Sequence, residues 1–135
     1  MVAVAEAAEV AGAPNLDGAP VEQMTKAWTL VRRAAEISQE ELAASIAGEA
    51  GIGIAKLDDR DARAERLVPA EVAHRRTVLP LGCTDREVTV ATCNPLSQEA
   101  KREIEWLTGR SVRFQVAPPD DLQDEIVAAY GSGEG

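Results

Sequence analysis

Residues 78–116 decide the fold, and they read VLPLGCTDREVTVATCNPLSQEAKREIEWLTGRSVRFQV. Three segments of this stretch have the two-residue period of β-strands, namely residues 78–82, 88–92 and 112–116. The turn at residues 83–86 predicts an antiparallel hairpin of the first two strands. A helix between Ser97, its expected cap, and Gly109 would cross over and make the second and third strands parallel. Pro80 places the first strand at an edge of the sheet.

A capping box predicts the start of a helix ahead of the sheet. The Ser38 hydroxyl can accept a hydrogen bond from the backbone N–H of Glu41, and the Glu41 carboxylate can reach back to Ser38. Ile37 and Leu42 would form the hydrophobic staple around this box. We therefore expect a helix to about residue 50, preceded by an amphipathic helix that begins near residue 26.

Two more helices and the chain ends complete the predicted architecture. Pro69 would open a short helix to about residue 76, and Leu122, Ile126 and Tyr130 share one face of a last helix after Pro118 and Pro119. The fold class is α+β, with a helical N-terminal part and a small three-stranded mixed sheet in the order β-β-α-β-α. The predicted organisation is a flexible acidic tail or linker (1–23), one domain (24–131) and a disordered end (132–135).

The charge distribution excludes several classes of function. The net charge is −9, and all 14 Lys and Arg residues lie between Lys26 and Arg113, together with 14 of the 23 acidic residues. The body of the chain is thus neutral and both ends are acidic, which argues against nucleic acid and anionic membrane surfaces as partners. No apolar run is long enough for a transmembrane helix. Cys83 and Cys93 would lie too far apart for a disulfide, so we expect a cytoplasmic protein with reduced thiols.

A search for catalytic and metal-binding patterns finds little support for an enzyme. Gly109-Arg110-Ser111 leaves a helix and lacks the upstream glycine of a phosphate-binding loop. His74 is the only histidine, and it has no cysteine at the spacing of metal ligands. We therefore predict no catalytic residue, no metal and no cofactor. The apolar helical stripes also predict that Trp28 and Trp106 pack into the core, with an interface role as the less favoured alternative.

One arginine-rich stretch, residues 60–76, is the candidate for partner binding. Its five arginines are Arg60, Arg63, Arg66, Arg75 and Arg76. Interleaved acidic residues make a solvent-exposed, salt-bridged face the simplest interpretation. The functional alternative is a recognition face for an acidic partner or a phosphate-bearing ligand, because the guanidinium fork suits both.

The order of several short segments resembles the N-terminal domain of type II secretion and type IV pilus assembly ATPases. The segments are Ile37-Ser38-Gln39-Glu40-Glu41-Leu42, Gly51-Ile52, Leu57-Asp58, Leu67-Val68-Pro69 with the basic pair Arg75-Arg76, Val78-Leu79-Pro80-Leu81, Val88 to Leu96, Leu107-Thr108-Gly109, and Ala128-Ala129-Tyr130-Gly131. The resemblance covers about residues 26 to 131. It implies a regulatory domain that docks a hexameric motor ATPase onto the cytoplasmic domain of an inner-membrane platform protein, as a fragment of such an ATPase or as a separate adaptor.

Some members of this family bind cyclic di-GMP through a segment like Arg-Leu-Gly-x-x-Leu-Val-x-x-Gly ahead of the capped helix. With Ile37 in register, Lys26, Ala27 and Trp28 stand where that family has Arg-Leu-Gly. Under this alternative the domain is a second-messenger sensor, and Lys26, Arg32 and Arg33 would contact the phosphates. The protein–protein interaction domain is the main hypothesis.

Overall fold

The computed structural model describes residues 21–58, 60–94 and 98–131. Helices and strands follow one another along these residues as α1 (Val21–Ala35), α2 (Gln39–Ala50), β1 (Gly53–Ile54), α3 (Ala62–Glu65), α4 (Ala70–Arg76), β2 (Val78–Cys83), β3 (Glu87–Thr92), α5 (Gln98–Thr108), β4 (Ser111–Val116) and α6 (Pro119–Tyr130). The predicted cap at Ser97, the tail at residues 1–20 and the end at 132–135 lie outside the described residues. Helix α1 includes residues 21–23, which the sequence assigned to the tail.

The sheet confirms the predicted strand pairing. Its order is β1-β4-β3-β2, with β2 antiparallel to β3 and β3 parallel to β4. Strand β2 lies at the edge, as Pro80 predicted, and the pairing shifts register between Pro80 and Gly82. Val88, Val90 and Thr92 are all buried, as expected for one face of β3.

The predicted count of three strands was one short. Strand β1, Gly53–Ile54, pairs parallel with Gln115 and Val116 at the end of β4. Two residues are too few to establish a period, so only the tertiary pairing identifies this strand. The α+β class and the order of the other strands are confirmed.

The predicted serine cap forms at the N-terminus of α2, whereas the return hydrogen bond from the Ser38 backbone N–H to the Glu41 carboxylate is absent among the described residues. Ser38 has extended backbone angles, and its Oγ accepts a hydrogen bond from the N–H of Glu41 at 3.1 Å. Leu42 is completely buried and Ile37 packs partly against the core, as the staple requires. The helix ends at Gly51, whose φ of +70° is the left-handed conformation that glycine adopts at helix ends.

One hydrophobic core lies between the sheet and the helices. Helix α6 contacts α1, α4, β2 and β3, while α2 packs on β1 and β4 and α5 on β4. The completely buried residues of this core include Leu42, Leu79, Ile104, Leu122 and Ile126. Trp28 of α1 joins the core with 3% of its surface exposed, as predicted.

The two cysteines are free thiols in different environments. Cys83 is half-buried at the end of β2, opposite Val88, whereas Cys93 is buried just after β3. Burial raises the pKa of the Cys93 thiol to about 12, so this thiol stays protonated at neutral pH. Among the described residues, no helix has the length and apolar character to cross a bilayer.

Candidate partner-binding surface

The structure places the five predicted arginines in three groups, and four of them form ion pairs. The first group joins the end of α4 to α5 through Glu103. Arg75 Nη2 donates to Glu103 Oε2 at 2.7 Å, and Arg76 Nε donates to Glu103 Oε1 at 2.8 Å. Glu71 and Glu99 extend the network from the same two helices. The hydrogen bond from Arg75 lowers the pKa of the Glu103 carboxyl, and the bond from Arg76 acts in the same direction.

Arg60 forms the second group, between the loop after β1 and α6. Its Nη1 lies 3.0 Å from Glu125 Oε2 and donates to the Glu125 carbonyl oxygen at 3.1 Å. Its Nε lies 3.5 Å from Glu65 Oε1. With only 21% of its side chain exposed, Arg60 serves mainly to hold these segments together. It is therefore poorly placed to receive a partner.

Arg63 and Arg66 form the third group, on and just after α3. Arg63 is 79% exposed and pairs with Asp61 at 2.8 Å, two residues away. Arg66 is exposed and has no ion pair with any described residue. Of the five predicted residues, these two are the ones whose charges still face solvent rather than another element. The interleaved acidic residues of the sequence did indicate this salt-bridged face.

The predicted nucleotide contacts do not converge on one pocket. Lys26 and Arg33 lie on the exposed side of α1, whereas Arg32 is half-buried at a cavity of about 20 Å³ beside Trp28, Gln39 and the start of α6. The indole of Trp28 is 3% exposed and belongs to the core. A cavity of this volume holds about one water molecule.

His74 is half-buried and takes a structural position. Its Nε2 donates a hydrogen bond to the Gly131 carbonyl oxygen at 2.9 Å, which ties α4 to the end of α6. Among residues 21–58, 60–94 and 98–131, no group of three His, Cys, Asp or Glu side chains could hold a metal ion. The structure thus brings together no set of residues with the pattern of a metal site in its described part.

Trp106 is a functional candidate for which the sequence analysis favoured core packing over an interface role. It is 83% exposed on α5, so the prediction that it packs into the core was wrong. The buried face of α5 is formed by Ala100 and Ile104, and two residues further along an α-helix is about 200° around the axis. Its spacing from Ile104 was therefore the available signal that Trp106 faces away from the sheet.

The surface around Trp106 is held rigidly by neighbouring contacts. Arg102, one turn earlier on α5, is exposed and lies on the same side of the helix. After the helix, Arg110 donates from Nε to the Thr84 carbonyl at 2.7 Å and from Nη1 to the Thr108 carbonyl at 2.9 Å. We call Arg102, Trp106 and Arg110 the Trp106 surface. An exposed tryptophan with an exposed arginine one turn away on the same side of a helix has the composition of a protein-binding hot spot.

Comparisons with known proteins agree with this fold. The type IV pilus assembly ATPase PilB of Myxococcus xanthus (strain DK1622) is 26% identical over 108 residues, covering 78% of this chain and 19% of PilB. The structure of MshE with cdg (cyclic di-GMP) superposes with a TM-score of 0.68 at 18% identity, covering 96% of this chain and all of that one. The N-terminal domain of XpsE superposes with a TM-score of 0.58 at 15% identity, over 75% of this chain and 72% of that one.

These likenesses define the class as the N-terminal domains of type II secretion and type IV pilus ATPases, as the sequence resemblance predicted. The MshEN domain model matches residues 50–135. The chain belongs to the MshEN domain family. It spans about a fifth of the length of PilB, the curated relative that it matches.

Proposed function

We propose that this chain is a non-catalytic docking domain that connects a secretion or pilus motor ATPase to the cytoplasmic domain of an inner-membrane platform protein. The observation that carries the proposal is the exposed Trp106 on a domain of the MshEN family. A cytoplasmic location follows from such a partner. The domain would act through binding and need no catalytic residue, metal or cofactor.

The physical case for docking at Trp106 is the cost of leaving its indole in water. A tryptophan buries an area of about 150–250 Å² when it is covered, and truncation of such an anchor typically costs a complex about 2 kcal/mol or more. Arg102 and Arg110 would add polar contacts at the rim of the same surface. The ion pairs of Glu103 with Arg75 and Arg76 hold α5 against α4, so little ordering is needed on binding.

Arg63 and Arg66 remain the second part of the proposed partner-binding surface. Both side chains are exposed, and the neighbouring α3 is anchored to the body of the domain. Asp61 N–H bonds to the Leu81 carbonyl of β2 at 2.9 Å, and the Tyr130 hydroxyl donates to the Glu65 carbonyl at 2.8 Å. An acidic partner would replace the weak, solvent-screened pair of Arg63 with Asp61.

Replacing Trp106 with alanine should weaken platform-protein binding at least about tenfold, since this removes the proposed anchor. The measurement is isothermal titration of the chain with the purified cytoplasmic domain of the platform protein encoded in the same genome. The matched control is Leu30→Ala, which truncates a side chain that is 68% exposed on α1. Circular dichroism should show that both variants are folded.

The double reversal Arg63→Glu/Arg66→Glu separates the two parts of the surface. Weaker binding in this variant and in Trp106→Ala supports one surface that includes both. A loss confined to the double reversal moves the docking site to α3 and refutes the role of Trp106. Binding that neither variant changes refutes both proposed sites, and absence of binding to the wild-type chain refutes the platform protein as its direct partner.

The structural similarity to MshE with cdg favours one second candidate, a cyclic di-GMP sensor with Lys26, Arg32 and Arg33 as phosphate contacts. We expect titration of cyclic di-GMP into this chain to produce no heat of binding, because Trp28 fills the space that a glycine leaves open for a ligand. Micromolar binding that is lost in Lys26→Ala/Arg32→Ala/Arg33→Ala would instead assign the sensor function. The control is Lys101→Ala/Arg102→Ala/Arg113→Ala, which removes the same number of positive charges outside α1.

A further inference from the structure

A cleft of about 440 Å³ lies between α2 and α6, at the ends of the neighbouring strands β1 and β4; it is lined by Ile54 and the residues after β1 and by Ala117 and Pro118 after β4. Its apolar lining includes Ala43, Ile54, Leu57 and Pro118, and Ile54 is 46% exposed. Among the described residues, β1 pairs on one side only, with β4, whereas Asp61 and α3 cover the outer edge of β2. An unpaired strand edge beside an apolar cleft can accept another extended segment through backbone hydrogen bonds.

Carboxylates form the rim of this cleft. The acidic residues that line it are Glu40, Asp58, Asp121, Asp124 and Glu125, against the single cation Lys56. Glu125 pairs with Arg60, and the other four have no ion pair with a described residue. Burial raises the pKa of Asp121, with repulsion from Asp120, Glu40 and neighbouring carboxylates acting in the same direction. The acidic side chains of the cleft thus outnumber the cations that lie beside them in the described part of the domain.

We propose that this cleft binds an extended, basic segment of a partner protein, which adds a strand to the edge of β1. In an extended segment successive side chains point to opposite faces. Alternate apolar side chains would pack on Ile54 and Leu57, while the intervening Lys or Arg side chains would reach the carboxylates of α2 and α6. Charge complementarity therefore selects a basic segment, and the apolar lining selects one with alternating apolar residues.

The ends of this chain are unsuited to occupy the cleft. Residues 1–20 and 132–135, which lie outside the described residues, contain acidic side chains and no Lys or Arg, so their charge has the same sign as the rim. The proposal is independent of the docking function assigned to Trp106, because the cleft is lined by α2, β1 and α6 and by none of the Trp106 surface.

The test is titration of the chain with a synthetic peptide of about ten residues that alternates lysine and valine, capped at both ends, against a glutamate–valine peptide of equal length. We expect the lysine peptide alone to bind, and its affinity to fall when salt is raised from about 0.02 M to about 0.3 M. Asp121→Lys/Asp124→Lys should weaken binding at least about tenfold, and Ile54→Ala should weaken it by a smaller factor.

The controls distinguish binding of the peptide in the cleft from nonspecific electrostatic attraction between a basic peptide and an acidic protein. Glu36→Lys/Asp85→Lys changes the net charge by the same amount at exposed positions outside the cleft, and Leu30→Ala matches Ile54→Ala. Equal losses in the cleft and control variants, or no binding of the lysine peptide, would overturn the proposal. Peptide-reversible self-association in sedimentation experiments would also overturn it, by assigning the cleft to a second copy of the chain.

Discussion

Replacing Trp28 with alanine is expected to lower the free energy of unfolding by about 3–5 kcal/mol. The side chain is 3% exposed and lies where α1 meets α6 and α2. Its loss leaves a large cavity that helices joined to the sheet can fill only in part. Since the free energy of unfolding of small domains is about 5–15 kcal/mol, this variant should lose a large part of its stability. The measurement is urea unfolding monitored by circular dichroism, which gives the free energies of unfolding of the variant and of the wild type.

The second tryptophan supplies a matched control for this measurement. Trp106→Ala removes the same side chain from a position that is 83% exposed, so the free energy of unfolding should change by less than about 0.5 kcal/mol. Trp28→Phe should be milder than Trp28→Ala, because the phenyl ring fills part of the cavity. The loss of the indole N–H should cost little in either variant, since that group is buried without a hydrogen-bond partner in the described part. Equal effects of the two alanine variants would contradict the packing of α1 against the core.

Replacing Glu103 with alanine is expected to lower the free energy of unfolding by about 2 kcal/mol near neutral pH. The carboxylate is 26% exposed and accepts hydrogen bonds from both Arg75 and Arg76. Its removal leaves the Arg76 guanidinium, which is only 15% exposed, without its best partner. The matched control is Glu71→Ala, whose side chain is 70% exposed, with an expected cost of about 0.5 kcal/mol or less.

The contribution of Glu103 should also depend on pH. Its pKa is lower in the folded chain than the ordinary value of 4.5, so the folded state favours the charged form. The stabilisation is therefore complete above about pH 5 and disappears as the pH falls through the folded-state pKa. The difference between wild type and Glu103→Ala, measured by urea unfolding from neutral to acidic pH, should shrink in that range. A difference that stays constant would contradict the ion-pair origin of the effect.

Local patterns in the sequence predicted the elements that depend on neighbouring residues. Ser38 and Glu41 mark the start of α2 because a cap is formed within one turn of chain. Strands β3 and β4 could be predicted from the alternation of their residues, and the pairing of the strands from the length and type of the connections. Strand β2 was also predicted, although its first four residues are all buried and do not alternate. The family resemblance followed from the order of these segments, and the comparisons confirmed it.

The candidate sites were harder to predict because they depend on contacts between distant segments. In the sequence, Arg75 and Arg76 form a basic pair that was predicted to bind a partner. In the structure, both donate hydrogen bonds to Glu103, which lies 28 and 27 residues further along the chain. The cleft at the ends of β1 and β4 joins carboxylates from α2 and α6, which no spacing in the sequence connects. Trp106 was assigned to the core from its apolar neighbours, although its angle from Ile104 places it on the other face.

The sequence by itself determined the α+β class, the hairpin, the crossover and the family, because strand period, turns and caps are local physical preferences. Only the tertiary structure decided which charges are neutralised, which tryptophan is buried and where the sheet keeps an open edge. Each of these depends on which surfaces meet after folding, so it is set by packing across the core. The proposed binding surfaces follow from what that packing leaves uncovered.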